Sequence, residues 1–313
     1  MPSIFKYFSE SLLPIVFRKP GYCGLKCSRP EDYNDPFELF LGVDLDVGPE
    51  GLATYRDILQ SLEQFQTTCF SKSPVVSPMW AHYANNHSGF VVEFDADSLE
   101  HYFEDGLLQE VTYRTEPDPS IRHFVQMAAM RKKPRDAYFL QSFATNQAYF
   151  SKYSEWAYEQ EIRLAGLDQY VEDVGGIKVL YVPMKGILSI VAGSRASPEF
   201  VTATRKIASE NNLRWYGAKI GKSYSQPFFN NAQGETYVYR DGDIRHTDLL
   251  CGSCCEPLPG GGDLCSWCSI TDEQQYAAAA NNPFRILHNH GALESYLESA
   301  DAVGKRHRSK RPR

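Results

Sequence analysis

Four cysteines in two short pairs restrict the C-terminal part of this 313-residue chain more than any other feature does. Cys251-x2-Cys254 and Cys265-x2-Cys268 are ten residues apart, and the spacer contains Pro257-Leu258-Pro259-Gly260-Gly261-Gly262. Two knuckles joined by a flexible Pro-Gly turn allow four thiolates to surround one tetrahedral Zn2+. Cys255 is available as a substitute ligand. No strand-helix-strand pattern flanks either pair, so a thioredoxin-type redox reading lacks its context. The spacing therefore predicts a zinc-ribbon-like subdomain over residues 246–272, holding structural zinc through Cys251, Cys254, Cys265 and Cys268. Such a ribbon binds nucleic acid, binds protein, or serves only to staple its own segment.

Cys23, Cys27 and Cys69 are scattered, which is not the framework of a secreted disulfide-stapled domain. The expectation is a cytoplasmic protein. Supporting it, no run approaches the roughly 18 uncharged apolar residues of a spanning helix, and charges and prolines interrupt the first twenty residues where a signal peptide is apolar. No membrane partner is expected. A content of 42% hydrophobic and 23% charged residues excludes wholesale disorder and fibrous repeats.

Charge is segregated along the chain. The net charge is −7, yet the last ten residues hold Lys305, Arg306, Arg308, Lys310, Arg311 and Arg313 with no acid, leaving −13 on the other 303. An acidic body opposes a broad nucleic-acid interface, whereas the tail suits weak, salt-dependent phosphate contacts. Composition changes near residue 246. A main domain is expected over 1–245, the ribbon over 246–272, and a helical segment with the basic tail over 273–313.

Within 1–245 the apolar periodicity predicts a helix over 9–17, a strand over 24–28, and a loop rich in turn formers and carboxylates over 29–38. A helix over 51–66 and a strand over 66–71 follow. Ser77 and Pro78 suit a helix start and Gly89 a stop, predicting a helix over 79–88 and a strand directly after it, over 89–95. Residues 120–153 read as helical and 158–164 as a strand. Strands over 177–182, 188–193 and 214–220 enclose a helix over 198–211. This irregular order favours an α+β fold, a mixed sheet core with decorating helices, over a doubly wound parallel sheet.

Two constellations carry chemistry. On a strand over 158–164, Glu159, Glu161 and Arg163 share one face. Two adjacent carboxylates divide labour, one stabilising a developing cation and the other positioning an acceptor; the plainer alternative is a solvated strand face with an ion-pairing Arg. In the helix after Ser77, Trp80, Tyr83, Ala84 and His87 fall on one face, either as a stacking wall for a base or nicotinamide or as ordinary core. Gly221-Lys222-Ser223 is not a phosphate loop, because Tyr216 stands where its first Gly is required.

Lys6-Tyr7, Tyr33-Asn34-Asp35-Pro36-Phe37-Glu38, Cys69-Phe70-Ser71, Met79-Trp80-Ala81-His82-Tyr83-Ala84 with Gly89, and Trp156-x2-Glu159-x-Glu161-x-Arg163 together resemble a bacterial family of unknown function with NDPFE, MWxHYA and WxxExExR motifs. The resemblance covers roughly residues 4–225. More distantly, the order of an early Tyr-containing strand, a CFS strand before an aromatic helix, and a late ExE strand is similar to ADP-ribosyltransferase-fold toxins of the DNA-modifying type. That resemblance implies NAD as substrate, with Glu161 stabilising the oxocarbenium-like state as nicotinamide leaves and Glu159 tuning the acceptor. It implies Tyr7 and Arg29 as NAD-binding residues, with Trp80 and Tyr83 against the nicotinamide end. The Arg or His that such enzymes place on the first strand is represented here by Lys6-Tyr7, or by Arg29 if the second strand supplies it. Phage defence or toxin-antitoxin biology, with an antitoxin as protein partner, would follow.

Three activities thus fit the sequence. The first is NAD-dependent ADP-ribosyl transfer, with nucleic acid as an acceptor. The second is a metal-dependent nuclease holding Mg2+ through Asp35, Glu38, Glu159 and Glu161. The third is a non-catalytic module that binds nucleic acid or a protein through the ribbon and tail.

Overall fold

A computed structural model describes residues 3–33, 35, 44–60 and 64–309, with side chains described as far as 303. The chain forms two compact units, Met1–Asp248 and Leu249–Arg313. In chain order the first begins with β1 (Ser3–Phe8), α1 (Leu13–Val16), β2 (Tyr22–Cys27), α2 (Pro49–Gln60), β3 (Thr67–Ser71), α3 (Ser77–Tyr83), β4 (Phe90–Asp95) and α4 (Ala96–Tyr102). Next come β5 (Leu107–Glu110), β6 (Thr112–Arg114), α5 (Ser120–Arg131), α6 (Pro134–Phe150), β7 (Ser151–Tyr153) and β8 (Glu161–Ala165). The unit is completed by β9 (Val171–Val174), β10 (Ile177–Pro183), β11 (Ile187–Ala192), α7 (Pro198–Glu210), β12 (Arg214–Lys219), β13 (Phe228–Asn230), β14 (Thr236–Arg240) and β15 (Asp243–His246).

Among the described residues ten strands form one sheet, in the order β15-β14-β13-β12-β11-β4-β1-β3-β8-β5, mostly antiparallel with a parallel β11–β12 pair. A second sheet, β2-β10-β9, contributes to the same core. The architecture is α+β with a mixed sheet, as the irregular element order suggests. Both faces of β1 are buried, which is why SIFKYF is nearly all apolar. Ile4 and Phe8 join Phe90, Val92, Phe94, Ile162 and Leu164 in a core shared with Cys23, Leu25, Leu180 and Val182 of the second sheet. Phe5 and Tyr7, one residue out of phase, join Val91, Val191 and Phe229 under Met79 and Trp80 of α3 and Ala84 just after it. A separate cluster of Ile121, Val125, Ala128 and Leu140 packs α5 on α6.

The helix expected over 120–153 is two helices and a strand. Lys132 adopts a left-handed φ of 53° that ends α5, and Pro134 then opens α6, because its ring fits a first turn and not a helix interior. The segment over 9–17 is a 3-10 turn followed by a single α-turn. The helix expected over 79–88 stops at Tyr83, since Asn85, Asn86 and His87 all take left-handed φ values, of 46°, 53° and 72°. Those three residues bend the chain into a loop that is followed by Gly89 and packs against Gly193. A Cβ on Gly89 would stand 2.1 Å from the Phe8 carbonyl oxygen, and one on Gly193 would stand 2.1 Å from that of His87. The loop is fixed there by bonds from Gly193 N to the Gly89 oxygen and from Arg195 N to the His87 oxygen.

In the second unit, the cysteine segment leads to α8 (Asp272–Ala280), α9 (Pro283–Asn289) and α10 (Leu293–Ser309). Thr271 and Gln274 form a reciprocal capping box on α8, and the Asn282 side chain caps α9. No described helix of the chain is long and apolar enough to cross a membrane.

The close backbone approach at Gly193 generates a prediction. Gly193→Ala must displace main chain rather than a flexible side chain, so urea unfolding should show a loss of about 1–3 kcal/mol. An unchanged midpoint would mean that the two loops do not touch as described.

Candidate active site

The strand β1 pairs with β4 along six residues but with β3 only through Phe5 and Ser71. Beyond that point β1 and β3 part, and the far end of β3 pairs instead with Ser28, just after β2, through a bridge to Thr67. Between these two contacts the sheet opens into a cavity of about 310 Å3. That size lies at the lower end for ligand pockets. Splaying strands leave ladder groups open, and the Lys6 ammonium answers this by donating to the Cys69 carbonyl at 2.6 Å and to Thr68 Oγ1 at 2.9 Å. Burial lowers the Lys6 pKa.

Beside this opening lie four charged side chains that are almost wholly removed from solvent. Glu159, Glu161 and Arg163 are 3%, 4% and 1% exposed and Lys152 is 7% exposed, so the alternative of a solvated strand face does not hold. Arg163 grips Glu161 with a fork, Nε to Oε1 at 2.7 Å and Nη2 to Oε2 at 3.0 Å, while its Nη1 donates to the Tyr149 carbonyl at 2.9 Å. The Tyr33 ring lies over the Arg163 guanidinium at 4.7 Å. Lys152 Nζ bridges the two acids, at 2.6 Å from Glu159 and 3.3 Å from Glu161. Tyr83 donates its hydroxyl to the other oxygen of Glu159 at 2.6 Å.

Glu159 reaches this network by a route different from the one expected. It is not on β8 but ends a 3-10 turn over Ser154–Glu159. Gln160 then takes a left-handed φ of 47° before β8 begins at Glu161. This reversal brings both carboxylates onto Lys152, a conformation that a non-glycine residue holds only when its surroundings enforce it. The surroundings do so: Ser71 Oγ donates to the Glu159 carbonyl at 2.7 Å and Lys72 N donates to the Gln160 carbonyl at 2.9 Å. Ser71 of the CFS strand thus fixes the carboxylate turn.

The two acids are driven apart electrostatically. For Glu161, burial pushes the pKa up, but the Arg163 charge and hydrogen bonds, with Lys152, outweigh it and hold the pKa at about 2. Glu159 moves the other way, raised by burial and by the charge of Glu161 beyond what Lys152 offsets. A permanently ionised carboxylate therefore adjoins one that exchanges a proton more readily, which is how paired acids acquire separate roles.

Of the residues singled out from the sequence, Tyr7, Tyr83, Glu159 and Glu161 line this one cavity. Tyr7 is anchored by its hydroxyl on the Ser73 carbonyl at 2.8 Å. Trp80 and Arg29 are not among the lining residues. Trp80 is fully buried behind Tyr7, edge-on at 5.3 Å, and its Nε1 donates to the Pro74 carbonyl at 2.7 Å, so it shapes the wall from within the core. Arg29 is exposed and precedes a 3-10 turn over Pro30–Asp32. Asp35 is buried and also absent from the lining, and Glu38 lies outside the described residues. Sequence reasoning missed Lys152, which sits in no recognisable motif, and named Lys6 only with Tyr7 as the stand-in for a first-strand Arg or His; the fold places Lys6 in the cavity lining and Lys152 between the two acids.

The second candidate centre is the cysteine cluster. Sγ atoms of Cys251, Cys254, Cys265 and Cys268 all lie within 4.8 Å of one another, and this set could hold a metal such as zinc. The Cys254–Cys265 sulfur separation is 3.7 Å. A tetrahedron with Zn–S bonds of about 2.3 Å has an edge of about 3.8 Å, so the donors fit. Amide groups of Cys265 and Cys268 donate to the sulfurs of Cys251 and Cys265, as second partners orienting thiolates do. Amides of Cys254 and Cys265 draw the Cys251 thiol down to about 6. Cys255 is not a member of the set. Its left-handed φ of 59° and its amide bond to the Cys251 carbonyl close the first knuckle.

Two outcomes test these centres. Because the folded pKa of Glu161 lies below its unfolded value, its contribution to stability is present above about pH 4.5 and is lost as pH falls toward 2. Arg163→Met removes the counter-charge and should destabilise the fold by about 3–5 kcal/mol at pH 7 in urea titrations. The difference from wild type should shrink at pH 4.5 as the orphaned acid takes up a proton. Separately, metal analysis of purified protein should find about one zinc per chain. The Cys265→Ser variant should lose it, and full zinc retention would remove Cys265 from the ligand set.

Residues 79–164, about a quarter of the chain, match a family model described as a protein of unknown function (DUF2971). The matched stretch contains Tyr83, Lys152, Glu159, Glu161 and Arg163, the network beside the cavity. No curated protein and no solved structure matches the chain.

Proposed function

We propose that the chain is an NAD-dependent ADP-ribosyltransferase whose chemistry takes place in the cavity between β1 and β3. The observation that carries this reading is the pairing of Glu161, held ionised, with Glu159, raised in pKa, on the wall of one recess between splayed strands. Breaking a glycosidic bond to a pyridinium sends the bonding pair to the ring nitrogen and leaves positive charge on the ribose carbon. A fixed carboxylate in a water-poor recess stabilises that charge with little reorganisation. The attacking acceptor must lose a proton, and Glu159 is the group suited to receive it.

The rest of the lining supports a substrate that combines rings with phosphates. Lys6, Lys26, Lys152 and Arg163 face three acids, Asp32, Glu159 and Glu161, so an anion is not excluded by charge. Tyr7, Tyr33 and Tyr83 supply aromatic surface. About 310 Å3 takes a nicotinamide-ribose end and leaves the remainder of a dinucleotide outside. The Mg2+ nuclease reading has less support. Glu159 and Glu161 are already bound to Lys152, Arg163 and Tyr83, and among the described residues the group with metal-ligand geometry is the cysteine set.

Nicotinamide release from NAD, with and without mixed DNA and RNA, tests the proposal. Glu161→Gln should lower the rate by about 100-fold or more, since the developing charge loses its counter-ion. Glu159→Gln should impair transfer to an acceptor more than release itself. Release that persists in Glu161→Gln, or is absent from wild type under every condition, would reject the assignment.

A further inference from the structure

A second cavity in the first unit, of about 590 Å3, has no part in the chemistry proposed above. It is lined by the last turns of α6, the end of β8 and the segments around Phe65 and Asp105. Its walls combine three aromatic rings, Phe65, Tyr149 and Phe150, with the carboxylates of Asp105 and Asp168, and no basic side chain is among its lining residues.

These walls are fixed before any ligand arrives. The Tyr149 hydroxyl accepts from Phe65 N at 2.6 Å, and the Tyr149 carbonyl is held by Arg163 at 2.9 Å. Asp168 accepts from Gln66 N at 2.9 Å, while Asp105 accepts from Gln169 Nε2 at 2.5 Å and from the Tyr170 hydroxyl at 3.0 Å. Among the described residues the hydrogen bonds to both acids come from neutral donors, and both aspartates are exposed. The C-terminal end of the α6 dipole has the same sign.

We propose that this cavity binds a small organic cation, a primary ammonium on an aromatic or alkyl stem. Two carboxylates attract the ammonium, ring faces favour a cation, and the apolar remainder takes the stem. A bare metal ion fits less well, because the described residues that meet metal-ligand geometry are the four cysteines.

Titration calorimetry on the full chain tests this with 2-phenylethylammonium and with 2-phenylethanol, which keeps the skeleton and removes the charge. The ammonium should bind about tenfold tighter or better than the alcohol. Asp105→Asn and Asp168→Asn should each weaken it by about threefold or more, since each removes one attracting charge at short range. Thr145→Trp, which fills the cavity from α6, should abolish binding. Urea midpoints of the variants identify any that fail to fold, and the two Asn variants decide the matter if the Trp variant does. Equal binding of the alcohol, indifference to both Asn variants, or no binding of the ammonium at millimolar concentration would overturn the proposal.

Discussion

Removing Glu159, Glu161, Arg163 and Lys152 from water together is the costly step around which the first unit is arranged. An isolated charge in that position would be strongly unfavourable, and even a pair regains its desolvation cost only when the remaining hydrogen-bonding capacity is also used. Here each charge has a partner of opposite sign, and the neutral groups of Tyr83 and the Tyr149 carbonyl add to them. The network therefore constrains distant parts of the chain at once. It fixes the end of α6 through Tyr149, β7 through Lys152, the loop before β8 through Glu159, and the α3 helix through Tyr83. A buried apolar cluster of the same volume would give comparable stability without such demands, which is a physical reason to connect this network with chemistry rather than with folding alone.

The opening between β1 and β3 follows from the same arrangement. A sheet closes wherever its strands pair along their length, and β1 pairs fully with β4 on one side. On the other side it meets β3 at a single register position, because Ser28 takes over the distal end of β3. The backbone groups released by the split are served partly by Lys6, whose ammonium bonds the Cys69 carbonyl and lies over the Phe70 ring, 5.4 Å from its centre. The recess is thus a consequence of strand register, and the charged network forms its far wall.

How much of this was legible in the sequence differs by feature, for physical reasons. The strands over β3, β4, β10, β11 and β12 and the helix α7 carry period-two or helical patterning strong enough to place them. The cysteine spacing located four sulfurs that the fold brings together. Alternation also placed Glu161 and Arg163 on one face. It misassigned Glu159, because the left-handed turn at Gln160 has no glycine to announce it and is imposed by Ser71 and Lys72 from another strand. The helix over 79–88 failed at three consecutive left-handed residues that are Asn, Asn and His, types that tolerate that region without declaring it. Lys152 was invisible for a different reason, as was the bond from Lys6 to the Cys69 carbonyl 63 residues away: sequence periodicity reports on local faces and not on what the folded sheet brings together.

Burial and reactivity also interact within the network. Lys152 lies closer to Glu159 than to Glu161, yet Glu159 is the acid whose pKa is raised. Contact with one ammonium is therefore insufficient to keep that carboxylate in its ordinary range, whereas the two-pronged guanidinium keeps Glu161 well below it. A lysine at position 163 could not reproduce this, because a point charge lacks the fork that engages both oxygens at once. The asymmetry between the acids thus comes from the identity of one buried side chain. It also explains why Arg163, which touches the Tyr149 carbonyl, Glu161 and the Tyr33 ring, is the residue through which the strand, the helix end and the loop before α2 are held to one geometry.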